Sequence, residues 1–195
     1  MRDDITLYFI RHGETDWNAE SRYQGQADIP LNDRGREQAR RNGEALASLL
    51  PGIGSADFVA SPLIRTRETM QIVRERLGLP REGYRLDPRL VELHYGDWEG
   101  RLLSEIKQTD AADIQRRRQD PYNWRPEGGE SYADLTERLD TWLGEITRDS
   151  VIASHGGVSR ALRCHLLGLP REKVLELEVP QDRVLVIRAG TMAWL

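Results

Sequence analysis

Ile5-Thr6-Leu7-Tyr8-Phe9-Ile10-Arg11-His12-Gly13-Glu14-Thr15-Asp16-Trp17-Asn18 changes character in one step. Residues 5–10 form an apolar, β-rich run, the composition of a strand covered on both faces. From Arg11 to Asn18 the chain turns into a polar loop. A doubly buried strand belongs to a sheet sandwiched between helices. The stretch therefore predicts an α/β protein with a polar loop at a strand's carboxyl end, where such folds gather their active sites.

The rest of the sequence extends that reading. Asn32 or Asp33 can cap a helix running to about Leu50, with Ala39, Leu46 and Leu50 on its apolar side. Phe58-Val59-Ala60 reads as a second strand, after which Ser61 and Pro62 open a helix to about Leu77, stopped by Gly78. Helical stretches are predicted near Leu102–Arg118 and Ser131–Thr147. Val151-Ile152-Ala153 is a third strand running into Ser154-His155-Gly156-Gly157, and a helix continues to about Leu167. Val184–Ile187 and Met192–Leu195 pair as a closing hairpin across Arg188-Ala189-Gly190. Buried strands alternating with helices predict a three-layer α/β/α sandwich around a mostly parallel central sheet. The whole of 1–195 is expected to form one domain, with a polar, lid-like excursion at about 99–130.

Composition narrows the function. The chain has 195 residues, 38% hydrophobic and 31% charged, with a formal net charge of −4. Nucleic-acid and membrane-surface binders are usually basic, so neither partner is expected. No stretch approaches the roughly 18 apolar residues of a membrane span, and no signal-peptide core is visible. Cys164 is the sole cysteine. It offers neither an intramolecular disulfide nor a thiolate cluster for zinc, which points to a reducing, cytoplasmic setting.

Three polar clusters, Arg11–Asn18, Ser61–Arg67 and Ser154–Gly157, each follow a strand and are expected to converge. His12 and His155 hold equivalent strand-end places, each followed by Gly, which allows close backbone approach to a ligand. Gly156-Gly157 also opens a helix, whose first amides favour an anion. Arg11 and Arg65 supply guanidinium forks that match phosphate oxygens. Taken singly, a lone His is more often a surface residue and Arg65 a solvated charge. Their shared strand-end placement is what raises the functional reading.

Five ordered segments resemble the histidine phosphatase superfamily, in its phosphoglycerate-mutase-like branch. They are Arg11-His12-Gly13-Glu14-Thr15-Asp16-Trp17-Asn18, Tyr23-Gln24-Gly25-Gln26-Ala27-Asp28-Ile29-Pro30-Leu31, Ser61-Pro62-Leu63-Ile64-Arg65-Thr66-Arg67, Glu92-Leu93-His94-Tyr95-Gly96-Asp97-Trp98-Glu99-Gly100 and Ser154-His155-Gly156-Gly157. The resemblance spans about Leu7 to Pro170 and implies a phosphomonoesterase acting on a small phosphorylated substrate, with no metal and no cofactor. It implies that His12 takes the phosphoryl group and that Arg11, Arg65 and His155 hold its oxygens with Asn18 assisting. Glu92 would be the general acid, and Thr15, Gln24, Gly25 and Arg101 are candidate substrate-binding residues. The physical chemistry agrees: a neutral imidazole is a competent nucleophile near pH 7, and the phosphoryl charge is spread over oxygens that two guanidiniums and a second His can stabilise. Members of the family often form dimers, so a homodimer is one option among open oligomeric states.

Asp97 and Glu99 read as structural carboxylates, Trp98 as packing, and His94 and His165 as packing or surface residues. Cys164 reads as a small buried hydrophobe. Arg116-Arg117-Arg118 reads as a solvated helix face that could touch an anionic substrate. The alternatives to a phosphatase are a phosphoglycerate mutase, which shares the phosphohistidine step, and a non-catalytic phosphate-binding module. Against the mutase, the resemblance calls for a Lys shortly after the Glu92 motif, and Gly100–Ile106 offers only Arg101.

Overall fold

A computed structural model describes residues 3–195. Its six-stranded sheet has the order β3-β2-β4-β1-β5-β6. The strands are β1 (Thr6–Arg11), β2 (Asp57–Ala60), β3 (Arg85–Leu86), β4 (Ser150–Ser154), β5 (Val184–Arg188) and β6 (Thr191–Trp194). β3, β2, β4 and β1 run parallel, β5 is antiparallel to β1, and β6 to β5. β1 and β4 sit in the middle of the sheet, which is why their sequences are continuously apolar rather than alternating.

The pleat divides those residues between two cores. Tyr8 and Ile10 pack with Phe58, Val151, Leu46, Met70 and Val73 under α2 (Asp33–Leu49) and α3 (Ile64–Arg76), after the short α1 (Asp16–Ala19). Leu7 and Phe9 face the other way, onto Leu135, Leu139, Trp142, Val158 and Leu162. These residues belong to α6 (Tyr132–Leu143) and α7 (Gly156–Leu167). The arrangement is the predicted α/β/α sandwich.

Three elements differ from expectation. The helix predicted at Leu102–Arg118 is two helices, α4 (Leu103–Thr109) and α5 (Ala111–Gln119), broken where Asp110 leaves helical geometry at φ −121°, ψ 37°. Asp110 uses its carboxylate locally, accepting from Thr109 Oγ1 and Arg101, the competition that makes Asp a helix breaker. The helix predicted from Ser61 starts three residues later, with Leu63 as its cap. The helix from Ser131 ends at Leu143, with Gly144 as its C-cap, short of Thr147.

Candidate active site

Register alone assembles the centre. β1, β4 and β2 are neighbours and stop at the same level. The His12 N–H donates to Ser154 O at 2.9 Å and the Ser61 N–H to Ala153 O at 3.0 Å. β3 is too short and polar to read in the sequence, yet the Asp87 N–H that follows it donates to Ala60 O at 3.0 Å. That contact brings the loop carrying Glu92 to the same edge.

His12 is 3% exposed. Its Nδ1 lies 2.7 Å from the Gly13 carbonyl. A carbonyl only accepts, so Nδ1 carries the proton and the lone pair is left on Nε2. His155 stands beside it, edge-on, with ring centroids 5.3 Å apart, and its Nε2 is 2.8 Å from Ser61 Oγ. Burial pushes both imidazoles well below their ordinary value of 6.5, and the Arg65 charge pushes in the same direction.

Arg11 and Arg65 are each pinned by backbone carbonyls and not by carboxylates. Arg11 NH1 donates to Val179 O at 2.7 Å, and Arg65 donates to Ala27 O and Gly25 O, both at 2.7 Å. Carbonyl pins orient a guanidinium without neutralising its charge. Burial lowers both, Arg65 to about 10, which leaves Arg65 cationic at neutral pH. Arg11 Nε, Arg65 Nε and His155 Nδ1 are buried without partners among the described residues; Arg11 and Arg65 line one cleft, and His155 stands beside His12. Asn18 spends its Oδ1 on the Thr15 N–H at 3.2 Å and on Gln181 Nε2 at 3.1 Å, which leaves its NH2 as the free donor.

Glu92 is held by amides. Its Oε1 accepts from the Leu93 N–H at 2.9 Å, and both oxygens accept from the Gly157 N–H at 3.1 Å. Backbone support comes from Arg138, which donates to Val91 O at 2.8 Å and Glu92 O at 3.1 Å, and from Gln26 Nε2 on Glu92 O at 3.1 Å. The amide at the start of α7 that was expected to meet a bound anion is therefore occupied by the Glu92 carboxyl group. Of the two glycines expected to admit a ligand, Gly13 packs against protein, whereas a Cβ on Gly156 would stand 3.5 Å from Arg11 Nε. A Cβ on Gly13 would collide with the Gly35 carbonyl, and one on Gly157 with Glu92.

A cleft of about 130 Å³ is lined by Arg11, His12, Asn18, Gln24, Gly25, Arg65 and Glu92, together with Arg22, Tyr23 and Tyr95. The other two substrate-binding candidates do not reach it. Thr15 is fully buried as the cap of α1, and Arg101 is turned away to Asp110 at 2.5 Å. Glu99 is structural, accepting from the Gln26 and Tyr95 amides at 3.0 Å, and Trp98 and Cys164 are buried. Arg117 departs from the solvated reading: it donates to Tyr23 Oη at 2.5 Å and lies 5.6–5.9 Å from the rings of Tyr23, Tyr95, Trp98 and Trp124. Sequence reasoning missed Ser61, Gln181 and Arg138 as supporting residues. It also missed the carbonyls that hold the arginines. Among the described residues no group of three or more His, Cys, Asp or Glu is placed to hold a metal ion, and no helix is long and apolar enough to cross a membrane. A larger cavity, about 420 Å³, lies among Tyr8, Leu50, Ile53 and Asp149 at the opposite end of the strands, away from these groups.

The sequence pattern of the histidine phosphatase superfamily (branch 1) matches residues 7–194, and the chain belongs to that family. It is 38% identical over 178 residues to the glucosyl-3-phosphoglycerate phosphatase of Mycolicibacterium vanbaalenii, covering 84% of this chain and 75% of that protein. It is 34% identical over 171 residues to a probable phosphoglycerate mutase of Salmonella paratyphi C, covering 85% and 76%. The solved structure of a mycobacterial glucosyl-3-phosphoglycerate phosphatase complexed with VO3 superposes with a TM-score of 0.80 at 32% identity, over 98% of this chain and 96% of that one. The chain is a phosphomonoesterase that works through a phosphohistidine intermediate.

Proposed function

We propose that the phosphohistidine forms on His12 Nε2 and that the chain hydrolyses a small, hydroxylated phosphate ester in the cytoplasm without a metal ion. The observation that carries this is the 2.7 Å bond from His12 Nδ1 to Gly13 O, which leaves Nε2 unprotonated among donors that lack partners. Nε2 attacks phosphorus while the bond from phosphorus to the leaving oxygen breaks. Arg11, Arg65, His155 and the Asn18 amide hold the peripheral oxygens, where positive charge and N–H donors stabilise the transition state. Protonated Glu92 gives its proton to the leaving oxygen. Its carboxylate then takes a proton from the water that attacks the phosphohistidine, so inorganic phosphate leaves and both groups return to their starting state.

Hydrolysis is favoured over mutase transfer because the arginine pair that could hold the second anionic end of a phosphoglycerate is committed elsewhere. Arg116 pairs with Asp113 at 2.5 Å and Arg117 with Tyr23. Neither lines the cleft. The relatives named for glucosyl-3-phosphoglycerate make that ester the first candidate substrate. The test uses 3-phosphoglycerate with catalytic 2,3-bisphosphoglycerate and, separately, a panel of sugar and glycerate phosphates including glucosyl-3-phosphoglycerate, all in EDTA. Phosphate release from the panel in EDTA, outpacing formation of 2-phosphoglycerate, is expected. Isomerisation faster than phosphate release, or activity abolished by EDTA, would overturn the proposal.

A further inference from the structure

Ser61 has no role in the chemistry above, yet it is fully buried against His155. It ends the β2 edge, with its carbonyl accepting from Thr66 Oγ1 at 2.8 Å. Its Oγ lies 2.8 Å from His155 Nε2. From the other side, the Leu63 N–H approaches the same Oγ at 3.5 Å, engaging it as an acceptor. A serine hydroxyl has one proton to give, and His155 Nε2 is the neighbour able to take it. The remaining ring nitrogen, Nδ1, is buried without a partner among the described residues. The ring is completely buried beside Arg65 and His12, which keeps it neutral, and a neutral imidazole carries a single N–H.

We propose that Ser61 is a positioning residue that donates its hydroxyl proton to His155 Nε2, fixing His155 in its Nδ1–H tautomer and making its one unpaired nitrogen a donor to a phosphoryl oxygen. The inference rests on the reading that His155 holds the transferring group. Phosphoryl oxygens are acceptors. The opposite tautomer would set a nitrogen lone pair against them, and the donor would be spent on a serine. The hydroxyl thus acts through His155 and touches no substrate itself.

Two-bond ¹H–¹⁵N NMR of enzyme labelled at histidine nitrogens reads each ring nitrogen separately. In the wild-type protein His155 is expected to show a protonated Nδ1 and a bare Nε2. Ser61→Ala removes the donor. It should move the ring toward the Nε2–H form and lower kcat on p-nitrophenyl phosphate by about tenfold to a hundredfold, somewhat less than the loss of a whole oxyanion donor. Ser61→Thr keeps a hydroxyl and should restore both. A wild-type ring protonated at Nε2 would overturn the proposal, and that measurement depends on no variant folding. A Ser61→Ala protein with unchanged tautomer and turnover would overturn it as well. His155→Ala separates the underlying reading: unchanged turnover there removes His155 from phosphate binding. Lost turnover together with a wild-type Nε2–H signal defeats the serine proposal alone.

Discussion

His12 and His155 are buried beside guanidiniums, and their protonation couples activity to stability. Both have folded values pushed well below 6.5, by burial first and Arg65 next. The unfolded chain takes up a proton on each near 6.5, and the folded chain does not. The neutral rings therefore contribute stability that is complete above 6.5 and lost as pH falls below it, at a limiting slope of about 1.4 kcal/mol per pH unit for each histidine. Urea unfolding at pH 7.5, 6.5 and 5.5 should show the loss, and His12→Gln should reduce the slope. A slope unaffected by the substitution would contradict this reading of the site. His12 and Arg11 stand at the end of β1 and Arg65 in the first turn of α3, where the sequence placed them; they were legible because each of these residue types carries its chemistry openly. Gln181 and Ser61 were not. Gln181 reaches His12 O across 169 positions, Ser61 reaches His155 across 94, and nothing local marks either pairing.

At the scale of elements, the support of Glu92 decides how well it can serve the leaving group. The loop after β3 is tied to α6 by Arg138, whose guanidinium meets Val91 O, Glu92 O and the Arg89 carbonyl and pairs with Glu130. Arg138→Ala should cost about 2 kcal/mol of stability, since it strips hydrogen bonds from a charged, largely buried donor. It should slow alkyl phosphates by about tenfold or more while p-nitrophenyl phosphate, whose leaving group hardly needs a proton, is affected less. Parallel turnover assays on the two ester types and urea denaturation check both halves, and equal slowing of the two would assign Arg138 a purely structural role. The long strands followed from their continuous apolar runs and α2 from its cap and apolar side. β3 did not, because its two residues carry no pattern and exist through pairing with β2. The break at Asp110 was hidden because a helical composition continues through it. The capped stop at Gly144 was available in the sequence, since glycine is a common helix end.

For the molecule as a whole, the sheet places chemistry that the chain scatters. Four parallel strands deliver His12, Ser61, the Glu92 loop and His155 to one edge, and the β5–β6 hairpin closes the far side. Arg188, predicted to lie in the connection, extends β5, and the hairpin turns through Ala189 and Gly190 alone at φ 47° and 70°, both left-handed as in a two-residue type I′ turn. The segment before that hairpin is bound to the site: the carbonyls of Leu177, Glu178 and Val179 accept from Arg160, Arg163 and Arg11 at 2.7–2.9 Å. The architecture was legible because doubly apolar strands have few homes. The strap was not, because its partners are backbone carbonyls, which every residue possesses. All of this converges on one nitrogen, so the decisive measurement is a millisecond acid-free quench of enzyme with ³²P-labelled substrate, followed by mapping of the label. An acid-labile, base-stable phosphoryl group on Nε2 of His12, absent together with turnover in a folded His12→Ala protein, is the predicted result. Label on another residue, or substantial turnover in His12→Ala, would contradict it.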